Sequence, residues 1–340
     1  MRILRVGVGS CGESMPSKLL LMSDHATHTS RGLLIPAMLF VSLVCNLTAL
    51  CSPFVSLAIG LGSEASHSLV TSVSLLRNSG LWILAVLVLG FSICFPFAKL
   101  GILTWVWSGR GSSAARRRWL GRVGSLARWS LFDVFLIGIL LALTNDRLLV
   151  ASAPKLGLPC FIVAIILSML AGEILHRRES APAPPSDRKP SRVLARTLLV
   201  LAAIALGIAH GAPLLQVHSI WMADGDFSLF RFTSALFAAG APVLGVLVVV
   251  GLVIVPWLVL ISTWCLTLRS TPSAIYRHAM WWRWSMLDVF LVALLVFVLE
   301  GKAFVPSEIR VGVYLMIISL IFSTCASMLV QRWQIAPAKP

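Results

Sequence analysis

Arg128-Trp-Ser-Leu-Phe-Asp-Val-Phe135 returns almost letter for letter as Arg283-Trp-Ser-Met-Leu-Asp-Val-Phe290, and each copy opens a long apolar run. Two such copies in one chain are the trace of a duplicated structural unit. The match extends outward from the signature. At an offset of 160 residues Pro53 falls on Pro213, Ser68-Leu69 on Ser228-Leu229, Ser74 on Ser234, Leu76 on Leu236, Gly80 on Gly240 and Pro96 on Pro256. The loop before the second signature is five residues shorter, so the offset becomes 155, and Gly157, Ser168 and Ala171 meet Gly312, Ser323 and Ala326.

With 58% hydrophobic and 12% charged residues, the chain is far more apolar than soluble domains, which run about 45–50% apolar and about 25% charged. It is an integral membrane protein. The net charge of +15 does not point to nucleic acid, whose readers gather their basic residues on a soluble face; here the charge lies between apolar segments. Eight of these reach the roughly 17–25 residues that a spanning helix needs. They lie near 33–56, 80–107, 129–145, 157–176, 195–215, 238–267, 284–300 and 309–330, the third and seventh being the shortest. The expected fold is all-α, eight transmembrane helices arranged as two parallel four-helix repeats, because each unit has an even number of spans and both enter from one side.

Lys and Arg set the expected orientation. The 108–128 connection holds six Arg and no acid, 177–196 holds Arg177, Arg178, Arg188, Lys189, Arg192 and Arg196, and 268–283 holds Arg269, Arg277 and Arg283. The alternate connections are nearly neutral. Basic short loops stay in the cytoplasm, which puts both termini there. Residues 1–32 lack a continuous apolar core before a cleavage site and read as a disordered cytoplasmic lead. The domain plan is then a first module at 33–178, a Pro-rich cytoplasmic linker at 179–193, a second module at 194–331 and a tail at 332–340.

The residues with chemical content are few. Ser130-x-x-Asp133 and Ser285-x-x-Asp288 have the spacing of a helix capping box, with Trp129 and Trp284 in an interfacial aromatic belt and Arg128 and Arg283 facing lipid phosphate. The competing reading makes Asp133 and Asp288 part of an intramembrane polar site. Lys99 lies eight residues before Trp107, on the order of 12 Å from the end of its helix at 1.5 Å per residue. It either snorkels or pairs with Asp133, and intramembrane charges commonly mark substrate or proton pathways. The second module has Val259 at the equivalent place. Pro53, Pro96, Pro213 and Pro256 are candidate helix breaks at matching positions, and Asn46 and Thr48 stand where they could bond carbonyls freed by Pro53. His210 has no second ligand on its helix and reads as a packed, hydrogen-bonded side chain. Gly207-x-x-x-Gly211 is a weak helix-packing signal.

Signature, repeat and topology resemble the paraquat-inducible protein A family, inner-membrane proteins of Gram-negative bacteria that occur with periplasmic MCE-domain proteins. The resemblance runs from about residue 33 to 330, is most specific at 128–135 and 283–290, and is supported by Pro96-x-x-Lys99 and by Asn46-Leu47 ahead of Pro53. It implies an inner-membrane partner for an MCE lipid tunnel, handling phospholipid between two membranes. Members of the family often carry zinc ribbons of paired C-x-x-C motifs. Here no two cysteines stand three apart, and a structural zinc site needs four convergent ligands, so no metal and no cofactor are expected. There is no G-x-S-x-G, H-E-x-x-H or P-loop, and the chain is not expected to be an enzyme. Two other readings stay open: a stand-alone ion- or proton-coupled small-molecule transporter, and a structural anchor for a periplasmic partner.

Overall fold

The computed structural model describes residues 17–59, 65–67, 69–78, 80, 82–144, 150–179, 192–217, 225–268, 271–300 and 307–335. The linker segment 180–191 and the two chain ends at 1–16 and 336–340 lie outside the described residues. Among the described residues eight helices or helix series are long and apolar enough to cross a membrane: Leu33–Cys51, Ala85–Trp107, Ser113–Leu143, Gly157–Glu179, Val193–Gly211, Pro242–Leu268, Pro272–Glu300 and Val311–Gln331. The chain is a multi-pass membrane protein.

In the first module α1 (Ser17–Cys51) begins well ahead of residue 33, so its helix reaches back into the segment expected to be a disordered lead; no proline falls between Ser17 and Leu34 to stop it. Strands β1 (Val55–Ile59) and β2 (Ala65–His67) and helix α2 (Leu69–Asn78) follow. The second span is α3 (Trp82–Val88), a π-helical turn at Leu89–Cys94 and α4 (Phe95–Trp107). The third begins with α5 (Ser113–Leu126), passes through a 3-10 turn at Ala127–Leu131 and continues as α6 (Phe132–Thr144). Strand β3 (Val150–Pro154) and α7 (Gly157–Glu179) complete the module.

The second module repeats this order: α8 (Arg192–Gly211), β4 (Pro213–Val217), β5 (Gly225–Ser228), α9 (Leu229–Ala238), α10 (Pro242–Val248), a π-helical turn at Val249–Ile254, α11 (Val255–Leu268), α12 (Pro272–Trp284), α13 (Leu287–Glu300), β6 (Ser307–Ile309) and α14 (Val311–Ile335). The third and seventh spans look short in the sequence because each is preceded by a polar, arginine-bearing helix that leads into it, α5 or α12.

Two small antiparallel sheets, ordered β2-β1-β3 and β5-β4-β6, cap the same end of the two modules. They are an addition to the all-α expectation. Their strands are three to five residues long and sit in connections that carry no amphipathic period of their own, so only the pairing of distant segments, Val55 with Pro154 or Leu215 with Ile309, makes them strands. Gly157 and Gly312 explain their own repetition. A Cβ on Gly157 would lie 2.8 Å from the Pro53 carbonyl oxygen, and on Gly312 2.7 Å from that of Pro213. The fourth span of each module thus rests against the chain leaving the first.

The four proline positions divide into two kinds. Pro53 and Pro213 lie just beyond the ends of α1 and α8; they terminate spans and do not kink them. Pro96 and Pro256 follow the two π-helical turns, which occupy the same positions in the repeat, 89–94 and 249–254. At the close of each, a backbone N–H reaches five residues back, Phe95 to Gly90 and Val255 to Val250. Proline has no N–H to give its i−4 carbonyl, and the wider turn is how the helix accommodates that loss.

Within each module the first and fourth spans pack together, α1 on α7 and α8 on α14. Ser42 Oγ donates to Ala164 O at 2.8 Å, and Ser319 Oγ to Ala202 O at 2.9 Å. These are equivalent places in the repeat with donor and acceptor helices exchanged. Between modules α6 meets α13, where Phe135 and Phe290, the last residues of the two signatures, cross edge to face at 5.6 Å. Both are fully buried, and such a pair contributes about 0.5–1.5 kcal/mol beyond its buried area.

Candidate functional site

The signatures turn toward each other and away from lipid. Arg128 Nη2 lies 3.0 Å from Asp288 Oδ2 of the other module, and its Nη1 donates to Ser285 O at 3.4 Å. Arg283 crosses the other way but finds Glu173 on α7, donating through Nε at 3.0 Å and Nη2 at 2.8 and 2.9 Å; Tyr276 OH donates to the same carboxylate at 2.6 Å. The arginines are therefore not spent on lipid phosphate, because an acidic partner in the facing module offers charge-assisted bonds in a partly desolvated place. The tryptophans are half-buried as well. Trp129 stacks on Phe91 at 5.8 Å, and Trp284 packs against the core.

Nor does a capping box form. Ser130 Oγ is buried without a hydrogen-bond partner, and the Ser285 N–H turns back to Trp282 O at 3.4 Å. Asp133 is occupied elsewhere: it accepts a hydrogen bond from Ser92 on the π-helical turn, leaving Oδ1 without a partner. The turn that Pro96 imposes brings Ser92 to the signature.

Lys99 is 2% exposed and its Nζ has no hydrogen-bond partner. It neither snorkels nor joins Asp133; no ion pair between them forms among the described residues. Its side chain lines a crevice of about 30 Å³ together with Gly124, Ser168, Gly172, Glu173 and Arg283. A water needs roughly 10–15 Å³ of such space, so the crevice admits about two. The second module has a smaller crevice, about 20 Å³, that shares only part of this lining, with Val259 where the first has Lys99 and Ser323 where the first has Ser168.

Asn46 and Thr48 do not reach carbonyls freed by Pro53. Each bonds four residues back on its own helix, to Ser42 O and Val44 O at 2.9 Å. A freed carbonyl is instead satisfied in the second module: Pro256 cannot bond Leu252 O, and the buried His210 reaches that oxygen through Nε2 at 3.2 Å. Since a carbonyl only accepts, Nε2 carries the proton.

The sequence reading missed Glu173 and Tyr276, the hub of one inter-module contact. Glu173 is the one acid inside the apolar run 157–176, which was the available signal. It also missed a buried cluster on α11 and α12, where His278 Nδ1 lies 3.2 Å from Thr263 Oγ1 and 3.3 Å from Ser262 Oγ. Among the described residues no three His, Cys, Asp or Glu side chains gather as a metal would require. The arrangement can hold charge in the membrane at two crossings between modules and at one unpartnered lysine.

Comparison with known proteins bears on what such a duplicated unit is. The chain is 30% identical over 135 residues to the intermembrane transport protein PqiA of Escherichia coli K12, a stretch covering 38% of this chain and 31% of that protein; the Shigella flexneri protein of the same name matches equally. The matched stretch spans about a third of these relatives' length. No solved structure matches. The sequence model for paraquat-inducible protein A matches residues 34–180 and again 192–336, the two modules seen in the fold. With both repeats matched, nearly end to end, the chain belongs to the paraquat-inducible protein A family.

Proposed function

We propose that the protein is the inner-membrane component of an MCE-type lipid transport system, handling phospholipid between the inner and outer membranes with a periplasmic MCE-domain partner. The observation that carries this reading is the family match over both modules, joined to relatives named as intermembrane transport proteins. The basic helices α5 and α12 mark the cytoplasmic end by the positive-inside rule, so the two sheets face the periplasm, where a partner would dock. The protein is a transporter part and not an enzyme. Motion of one module against the other would act on the Arg128–Asp288 and Arg283–Glu173 contacts, since these are the polar links between halves.

Phospholipid copurifying with the protein, identified by mass spectrometry and changing in amount when an MCE-domain protein is coexpressed, is the expected result. Purified protein free of lipid in both preparations, with no lipid transfer between vesicles, would sink the reading. Orientation is tested separately by cysteine labelling, with Ser74 and Asp226 replaced by Cys reacting in intact spheroplasts and Ser113 only after permeabilisation. The alternative of an ion- or proton-coupled small-molecule transporter has Lys99 and Asp133 in its favour, as buried groups that form no ion pair with each other; net proton flux without any lipid would support it.

A further inference from the structure

We propose that the crevice beside Lys99 seats the phosphate of an anionic phospholipid headgroup taken from the cytoplasmic leaflet, an inference that rests on the lipid-transport reading and the orientation given above. The starting point is a missing counter-charge. Lys99 is 2% exposed with Nζ unbonded, and Glu173, the acid that shares its crevice, is engaged by Arg283 and Tyr276, while Asp133 takes its hydrogen bond from Ser92. A buried ammonium without an anion is costly, and Lys is a compact point charge well suited to phosphate.

The second module shows that the fold does not require this charge. At the place of Lys99 it has Val259, also buried, beside a smaller crevice that shares only part of the first one's lining, so the span packs there around an apolar residue. The lysine therefore stands at a buried position that the repeat can fill with an apolar residue.

The surroundings fit a headgroup. Gly124 and Gly172 remove two side chains from walls that are otherwise largely apolar, formed by Leu103, Leu120, Val123 and Met169, and Trp284 and Arg283 complete the lining. Space for about two waters accepts the anionic oxygens of a phosphate while glycerol and acyl chains stay outside. One wall is α5, whose Arg117, Arg118 and Arg122 are exposed, with Arg122 lying over the Trp119 ring at 5.3 Å. A basic pocket between spans on the cytoplasmic side is the chemistry by which membrane proteins hold anionic headgroups. The α5 arginines would gather the lipid and Lys99 would fix its phosphate.

Binding is measured on the full-length protein in detergent micelles doped with phosphatidylglycerol, with phosphatidylcholine, or supplied with inorganic phosphate, reading lipid-bound species by native mass spectrometry and the thermal midpoint in parallel. Wild type should prefer phosphatidylglycerol, and Lys99→Met should lower that affinity about tenfold, the factor expected of one well-placed charged contact. Arg117→Gln with Arg118→Gln changes exposed residues whose loss does not threaten folding, and should lower it about fivefold. Unchanged affinity in Lys99→Met overturns the site. So does an equal response to inorganic phosphate, which would make it a free-anion site, or to phosphatidylcholine, which would remove the charge argument. Vesicle transfer assays separate this from the transport reading: wild-type transfer with unaltered lipid binding in Lys99→Met sinks the headgroup site alone, whereas absence of wild-type transfer sinks the larger reading.

Discussion

The first and second modules share a backbone and differ in where they place polarity. Both keep the three-stranded cap, the π-helical turn before a proline, and the close approach of Gly157 or Gly312 to the preceding chain. Ser92, Lys99 and Glu173 of the first module become Leu252, Val259 and Met328 in the second, while Leu50 and Val123 become His210 and His278. Duplication has preserved what the fold needs geometrically and has let the buried charges diverge. As a result the two arginines of the signatures, equivalent by sequence, have unlike partners: Arg128 has Asp288 and Arg283 has Glu173. Asp133, which a symmetric pairing would give to Arg283, bonds Ser92 instead.

The most severe way to disturb this asymmetry is Glu173→Ala. It strands Arg283 and the Tyr276 hydroxyl together, and removing one partner of a largely buried pair costs about 3–5 kcal/mol, at the low end here because both side chains keep some exposure, 20% and 14%. Thermal unfolding in detergent should show the loss, and Arg283→Met added to it should recover more than half; no recovery would mean that the contact is not a pair in the folded protein. Asp288→Ala should cost less, roughly 1–3 kcal/mol, since Arg128 keeps its bond to Ser285 O. Equal losses for the two acids would restore the symmetry that the structure denies.

His210→Leu tests the second module's own device. It leaves the Leu252 carbonyl buried and unbonded, a loss of about 1–3 kcal/mol, while the mirror change Leu50→His should bring no gain. A neutral His210→Leu would mean that the carbonyl has another donor. The smallest effect expected is a coupling. Because Lys99 and Asp133 form no ion pair, the double variant Lys99→Met/Asp133→Asn should equal the sum of the single ones within about 0.5 kcal/mol. A larger coupling in unfolding measurements would put the two in one pair and undo their separation.

Much of this protein could be read from the chain. Apolar runs of spanning length, alternating basic and neutral connections, and the repeated Arg-Trp-Ser-x-x-Asp-Val-Phe block determine eight spans in two modules, because length, hydropathy and repetition are local properties that no distant contact can alter. The matched prolines were legible as positions, but that Pro53 and Pro213 end spans while Pro96 and Pro256 follow π-helical turns, and that Gly157 and Gly312 seat a neighbouring carbonyl, came from the fold. What the chain could not disclose was which charges meet. Arg128 and Asp288 are 160 residues apart and Glu173 and Arg283 are 110, and within a membrane any basic residue near a helix end has lipid phosphate, a neighbouring acid or a carbonyl as possible partners. Only the packing of α6 on α13 and of α7 near α12 selects among them, by bringing one acid within 3 Å and removing water from its competitors. The small sheets follow the same rule: three-residue strands have no period to detect, and it is the meeting of the first and third connections of each module that turns them into structure.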